Sequence, residues 1–137
     1  MFDHEEDILR KITDCEGQLY EVILENEDLN MVVLNFFVSL ELCVKIRVDK
    51  PMLFSFSRFP DVLGTYIIME AFIREVSRYD YDTLNRLNYS LLKDGRPFLD
   101  REKATWLHIE GDVNIDILCE KIVMTELRNT GEPKLGI

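Results

Sequence analysis

The residues best suited to chemistry are three cysteines and two histidines, and their spacing matches no catalytic or metal-binding motif. Cys43 and Cys119 are the thiols that His108 could activate, because nucleophilic attack needs a thiolate favoured by a base or by a helix N-terminus. Cys43 falls within a predicted strand and Cys119 inside a predicted helix, and neither is at a helix start. Cysteine is also among the most often buried residues, so we expect both thiols to be inert.

Other kinds of active site find equally little support. A metal ion needs ligands that converge within bonding distance, and His4 and His108 have no neighbouring cysteine. The six glycines lie too far apart for a dinucleotide or phosphate loop. Glu110 and Asp112 flank a predicted strand end, but 26 acidic residues offer too many pairs for this one to be specific. The sequence therefore predicts no cofactor, no metal and no enzyme, with a small hydrolase or transferase as the third-ranked alternative.

The charge distribution favours a protein partner over nucleic acid. The 137 residues carry a net charge of −10, which argues against direct contact with a phosphate backbone. Residues 1–28 hold ten acidic and two basic residues, a net of −8. This acidic end either keeps the protein soluble or forms a docking face for a basic partner. In the second case Glu5, Glu6 and Asp7 of the first predicted helix are the partner-binding candidates.

Length and composition indicate a single domain, residues 1–137, of the reducing cytoplasm. Hydrophobic residues make up 47% of the chain and charged residues 31%, which suffices for a core and carries no signature of disorder. Three cysteines with wide gaps argue against a disulfide scaffold. The acidic N-terminal residues lack the features of a secretory signal. The most apolar stretch, residues 29–48, contains charges that disfavour a membrane span.

The clearest periodic pattern predicts β structure in the first half of the chain. Asp3–Asp14 has the spacing of an amphipathic helix, and residues 18–25 alternate as a strand does. From Leu34 to Val48 every even-numbered residue is apolar, which indicates strands whose even side chains face a core. A buried helix over residues 29–39 is the competing interpretation of that stretch.

The remaining patterns complete a predicted α+β fold. The elements expected after residue 41 are a hairpin over 42–59, a helix from Pro60 to about Arg78, a short helix capped by Asp82, a hairpin of 97–100 with 105–110, and a helix near Asn114–Arg128. The expected order is α-β-β-β-α-β-β-α, with an antiparallel sheet of about five strands and helices packed on it.

The odd-numbered face of the long β run is more apolar than a water-facing sheet surface should be. Val33, Phe37 and Cys43 lie there among polar residues, although antiparallel sheets typically alternate sharply. Either the chain's own helices cover this face, or it meets a second subunit or a partner. Aromatic residues, which are enriched at interfaces although most are expected in the core, form a second candidate set: Phe54, Phe56, Phe59, Tyr66, Tyr79, Tyr81 and Tyr89.

One local pattern comprises Leu87-Asn88, the segment GRPFLD at residues 95–100, and Trp106-Leu107. It resembles a pattern in the YbjN-like proteins, which are related to the class I type III secretion chaperones. The predicted element order is also similar to that fold. The resemblance implies a small, acidic, cytosolic homodimer that binds an extended segment of another protein and has no catalytic site.

The leading hypothesis is therefore a non-catalytic protein-binding module, a chaperone- or adaptor-like homodimer that binds a segment of another protein. The alternative is an acidic inhibitor, such as a toxin-immunity or phage anti-defence protein, that blocks a basic site of its target. Neither hypothesis requires a cofactor, a membrane or direct contact with nucleic acid.

Overall fold

The computed structural model describes residues 1–25, 30–61, 64–89, 94 and 96–128. Within these residues the chain forms two helices and one antiparallel sheet of eight strands. The elements are α1 (Asp3–Asp14), β1 (Gln18–Glu25), β2 (Met31–Ser39), β3 (Leu42–Asp49), β4 (Leu53–Arg58), β5 (Tyr66–Ser77), α2 (Tyr81–Arg86), β6 (Lys103–Gly111), β7 (Val113–Cys119) and β8 (Lys121–Arg128). The strand order is β4-β7-β6-β5-β1-β2-β3-β8.

The sheet closes on itself because two long segments of chain are bent and pair with each other. Strand β3 leads into β4 through a bend where Lys50 has a left-handed φ of 51°. Strand β7 leads into β8 through the single residue Glu120. β3 pairs with β8, and β4 pairs with β7. Since β1 also pairs with β5, strand pairs run from β3 through β2, β1, β5 and β6 to β7. The ring is completed because β3 continues into β4 and β7 continues into β8.

The enclosed core confirms the prediction made from the even-numbered residues. The inward-facing side chains of β2 and β3 are buried: Leu34, Phe36, Val38, Val44, Ile46 and Val48. Leu40 is an exception and is 85% exposed, because it lies in the tight turn between the two strands. Helix α1 contributes its apolar side to the same core through Ile8, Leu9 and Ile12.

Helix α1 also lies against the outermost strand, β8. His4 Nε2 is 3.3 Å from the carbonyl oxygen of Met124, and Lys11 Nζ is 2.8 Å from Glu126 Oε1. The hydrogen bond to the Glu126 carboxylate is the main cause that raises the pKa of Lys11. These contacts place the helix along an edge of the sheet. Neither helix of the described chain is long and apolar enough to cross a lipid bilayer.

The prediction of an α+β fold with about five strands is wrong, and its main error is the helix expected before Arg78. Residues Tyr66–Ser77 form β5, whose register against β6 shifts between Ile68 and Glu70. A bulge of this kind breaks the alternation of side chains. Beyond it, Ile73 faces the enclosed core, while Val76 faces a second cluster on the outside of the sheet. Because apolar residues occur on both faces of β5, their spacing along the sequence resembles that of an amphipathic helix.

The helix expected near Asn114–Arg128 is also wrong, for a related reason. Residues in that stretch form β7 and β8. Inward-facing positions are odd-numbered before Glu120, as at Ile117, and even-numbered after it, as at Met124. Because the inward-facing positions change from odd to even at the bend, the apolar residues of the two strands together show an apparent period between three and four, as a helix would.

Several smaller expectations can be compared with the same strands. The helix Asp3–Asp14 and the strand at residues 18–25 are confirmed, and β2 excludes the competing helix over 29–39. The hairpin over 42–59 is wrong, because β3 and β4 pair with β8 and β7 and not with each other. Residues 97–100 form no strand, and Asp80, not Asp82, caps the short helix. The expected turns at 26–28 and 129–131 lie outside the described residues.

The enclosed core predicts unequal effects for one substitution at two phenylalanines. Phe36 is 0% exposed and Phe59 is 62% exposed. We expect Phe36→Ala to lower the free energy of unfolding by about 3–5 kcal/mol, because it removes buried contacts and leaves a cavity. Phe59→Ala is the matched control and should change it by less than about 1 kcal/mol. Urea denaturation measures both, and equal losses would contradict the described core.

Candidate protein-binding surface

A second apolar cluster lies on the outer face of β5, β6 and β7. Helix α2 and the segment at residues 96–99 cover this part of the sheet. The buried members of the cluster are Val76, Leu84, Leu87, Tyr89, Leu99, Ala104, Trp106 and Leu118. The covering segments therefore pack on the sheet as a second layer, and their outer sides form a surface.

The start of α2 is fixed to the sheet by a polar network. Asp80 accepts hydrogen bonds from the backbone N–H of Thr83 at 3.2 Å and from its hydroxyl at 2.8 Å. The bond from the Thr83 hydroxyl is the largest cause that lowers the pKa of the Asp80 carboxyl, because it stabilises the charged form. Arg74 of β5 donates to the Thr83 hydroxyl at 2.9 Å. Its guanidinium also lies 4.8 Å from the Trp106 ring centroid.

A groove of about 580 Å³ lies beside this fixed helix start. Tyr79 is 72% exposed and Tyr81 is 56% exposed, and they flank the capping residue Asp80. The Arg78 guanidinium carbon lies 6.0 Å from the Tyr79 ring centroid. The lining residues of the groove, which we call the Tyr–Arg groove, are Arg78, Tyr79, Tyr81, Arg96, Pro97, Phe98 and Leu99.

The charge of the Tyr–Arg groove differs from that of the whole chain. Among the residues that the structure describes, its lining includes two arginines and no carboxylate, whereas the chain carries a net charge of −10. Arg96 is held by Asp94 through its backbone N–H at 3.1 Å and through its side chain. The backbone N–H is the main cause that lowers the pKa of the Asp94 carboxyl. The Asp94 carboxylate offsets the charge of Arg96, so Arg78 supplies most of the positive charge of this aromatic groove.

A cluster around His108 is the other arrangement of chemical interest. His108 Nδ1 lies 2.7 Å from Asp116 Oδ1, and Trp106 Nε1 donates to the same oxygen at 2.8 Å. His108 Nε2 lies 3.3 Å from Glu110 Oε1. Phe72 stacks on the imidazole with 5.0 Å between ring centroids. All of these side chains lie on the outer face of β5, β6 and β7.

This cluster has the arrangement of a structural network. A histidine–carboxylate pair becomes catalytic when its second nitrogen reaches a nucleophile or a substrate, but Nε2 of His108 faces Glu110. Because Asp116 lies directly opposite His108 in the ladder, their contact joins β6 to β7. Among the described residues no three or more histidine, cysteine, aspartate or glutamate side chains are placed to hold a metal ion.

The predicted partner-binding residues of the sheet are odd-numbered. They therefore lie on the outer face of β2 and β3, opposite the even-numbered core residues. Phe37 is directly opposite Cys43. Val33 is 3% exposed and Cys43 is 7% exposed, and Phe37 is half-buried. In the described chain the helices pack elsewhere, α1 in the enclosed core and α2 over the second cluster. The structure brings Phe37 and Cys43 together; Cys43 is buried, and Phe37 stays partly exposed.

The predicted acidic residues lie on α1. Glu6 and Asp7 are exposed, and Glu5 is half-buried. Asp7 lies 3.6 Å from both Arg10 and Lys11, so its charge is partly compensated. The acidic face of α1 and the Tyr–Arg groove are therefore two separate charged surfaces of opposite sign.

The cysteines differ in their environments. Cys15 is exposed, whereas Cys43 and Cys119 are buried. Burial raises the pKa of Cys119 to about 12 and also raises the pKa of Cys43, because desolvation disfavours the thiolate. The Cys119 thiol points to the carbonyl oxygen of Thr105 at 3.7 Å, and not to His108.

Thiol titration tests these environments. At about pH 8 we expect a thiol reagent to label Cys15 alone in the folded protein and all three cysteines in denaturant. A raised folded-state pKa adds stability below the unfolded thiol's value near 8.5 and loses it as pH rises toward the folded value. The free energy of unfolding of Cys119→Ala should therefore fall less than that of the wild type above about pH 9. Rapid labelling of Cys119 in the folded chain would contradict its burial.

In comparisons with known proteins, no family model, curated protein or solved structure matches the chain. The resemblance to type III secretion chaperones and YbjN-like proteins stays a prediction. The element order that supported it is not the one that the chain adopts, and residue 95 of its local pattern lies outside the described residues.

The Tyr–Arg groove was only partly visible in the sequence. Tyr79 and Tyr81 were among the aromatic candidates, and the tyrosines that flank Asp80 were a usable signal, because a capping residue fixes the backbone beside it. Arg78 and Phe98 were not candidates. Only the fold brings residues 78–81 and 96–99 to the same groove.

Proposed function

We propose that this protein is a non-catalytic protein-binding module whose principal binding site is the Tyr–Arg groove. The observation that carries the proposal is the exposure of Tyr79 and Tyr81 beside Arg78 on a helix start that is hydrogen-bonded to the sheet. Tyrosine and arginine are enriched among the residues that dominate binding energy at protein interfaces. Tyrosine in particular offers a large contact area with few rotatable bonds.

The groove fits an extended, acidic segment of another protein. Within the described part of the chain, Arg78 and the Asp94-bound Arg96 line it and no carboxylate does. Arginine binds carboxylates through paired hydrogen bonds, so Arg78 is the main candidate contact. Pro97, Phe98 and Leu99 supply an apolar wall against which a partner's aliphatic or proline side chains can pack. The rest of the chain is acidic, so it repels an acidic partner at other sites and favours binding at the groove.

Peptide selection followed by affinity measurement tests this proposal. A displayed library of random short peptides should yield acidic sequences, and fluorescence anisotropy then measures the affinity of the selected peptides. We expect Arg78→Glu, and separately Tyr79→Ala with Tyr81→Ala, to weaken binding by roughly 10- to 100-fold, as removal of a dominant interface residue does.

Matched control variants lie on the opposite outer face of the sheet. Arg47→Glu makes the same charge change on β3, and Tyr20→Ala removes a partly exposed tyrosine from β1. Both should leave the affinity within about twofold of the wild-type value, since exposed substitutions away from an interface have small effects. Two results would refute the groove as the binding site: selection of basic peptides, or an equal loss of peptide affinity in the groove variants and in the control variants.

A second candidate function is the acidic inhibitor that blocks a basic site of its target. The observation in its favour is the exposure of acidic side chains on α1, including Asp3, whose side chain is 98% exposed, together with Glu6 and Asp7. Negative charge near a helix N-terminus also stabilises the helix, so these residues have a structural role as well.

Charge reversal separates the two functions. For an inhibitor, the triple variant Glu5→Lys, Glu6→Lys and Asp7→Lys should lose binding to lysine-rich peptides, and the wild-type affinity should fall steeply with salt, because exposed charges are screened over about 8 Å. For a groove binder, the variant should bind the selected acidic peptides at least as tightly as the wild type.

The control for that variant makes an equal charge change at exposed glutamates elsewhere. Glu25, Glu41 and Glu70 are exposed and lie on β1, on the turn after β2, and on β5. If the control triple variant and the α1 triple variant alter binding to the same extent, net charge is responsible and α1 is not a docking face.

A further inference from the structure

The two strands at the ends of the ladder, β4 and β8, differ in how their outer edges are covered. In the part of the chain that the structure describes, β4 is hydrogen-bonded to β7 only, and β8 to β3 only. Helix α1 lies along β8 through the contact of His4 with the Met124 carbonyl and the ion pair of Lys11 with Glu126. Within the described residues no helix lies along the outer edge of β4, and its residues 55–58 are exposed. An uncovered strand edge offers unpaired backbone groups to another strand.

The sequence of β4 lacks the features that usually protect an edge. Natural proteins place lysine, proline, inward-pointing charge or a bulge on such strands. The strand Leu53–Arg58 reads Leu-Phe-Ser-Phe-Ser-Arg, with its one charge at the last position. Its pairing with β7 is regular over all six residues. The prolines nearest to it, Pro51 and Pro60, lie outside the strand and limit its length to six residues.

We propose that β4 pairs antiparallel with β4 of a second copy of this chain and so forms a symmetric dimer. In the symmetric register that keeps inner faces on the same side, Phe54 lies opposite Phe56 of the second copy, and Ser55 lies opposite its own counterpart. Two cross-strand aromatic pairs result, which is a favourable arrangement in antiparallel sheets. Arg58 falls opposite Met52 of the second copy, so like charges do not face each other.

We take a second copy as the occupant because the strand is complementary to itself and contains no acidic residue. The chain has a net charge of −10, which opposes self-association at most surfaces. The strand itself contains no carboxylate, so its pairing does not bring acidic groups of the two copies face to face. The alternation of phenylalanine and serine is its own complement in the antiparallel direction, as a symmetric interface requires. Phe56 is 38% exposed in the single chain and would gain an aromatic neighbour.

Cysteine cross-linking tests the strand and its register together. The variants are built in Cys15→Ser, because Cys15 is exposed whereas the other two cysteines are buried. Ser55→Cys should form a covalent dimer under mild oxidation, since the two sulfurs face each other across the symmetry axis. Ser57→Cys is the matched control: it is also exposed and lies on the same face, but it would face Leu53 of the second copy and should cross-link poorly.

Sedimentation velocity over a range of protein concentrations provides the independent measurement. The wild type should show a reversible monomer–dimer equilibrium. Ser55→Lys should shift it to monomer by placing two ammonium groups opposite each other, while Ser57→Lys should shift it less. A wild type that stays monomeric at all concentrations overturns the proposal. A dimer in which Ser57→Cys cross-links as readily as Ser55→Cys overturns it as well. Thermal unfolding of each variant checks that the fold is retained.

Discussion

The pairing of two bent strand segments, β3–β4 with β7–β8, is the constraint on which the rest of this structure depends. Each segment leaves one part of the sheet and enters another, and the backbone hydrogen bonds between them continue on both sides of the bend. Closure of a sheet in this way encloses a core and removes most free edges. The bend requires a left-handed residue at Lys50, where φ is 51°, a conformation that costs free energy outside glycine. The backbone hydrogen bonds on both sides of the bend offset this cost.

Closure divides the apolar residues into two clusters with different roles. The enclosed cluster holds the sheet together and is completed by α1. The second cluster lies outside, where Trp106 and Leu118 of β6 and β7 hold α2 and the 96–99 segment. Because the Tyr–Arg groove is built on this second layer, the geometry of the proposed binding surface is tied to the sheet through Arg74, Thr83 and Asp80. A preorganised surface of this kind would bind the proposed partner without a large ordering cost.

The sequence was informative where one face of a strand meets the core and the other meets water. The even-numbered residues of β2 and β3 satisfy that condition, so their period of two identified the strands and their buried side. The same period did not identify β5 or β7–β8 as strands. A bulge, a bend and burial on both faces disturb the alternation there. Residues Ile73 and Val76, buried on opposite faces, illustrate the failure. The groove could not be predicted from the sequence, because residues 78–81 and 96–99 become neighbours only in the folded chain.

The most direct test of the account is an NMR titration of the ¹⁵N-labelled protein with an acidic peptide obtained by selection. The central claim is that binding occurs at the layer formed by α2 and the 96–99 segment. The amide signals of residues 78–81 and 96–99 should then shift together and saturably, while those of the outer face of β2 and β3 and of α1 stay unchanged. Shifts concentrated on β2 and β3 or on α1, with the groove unaffected, would contradict the claim.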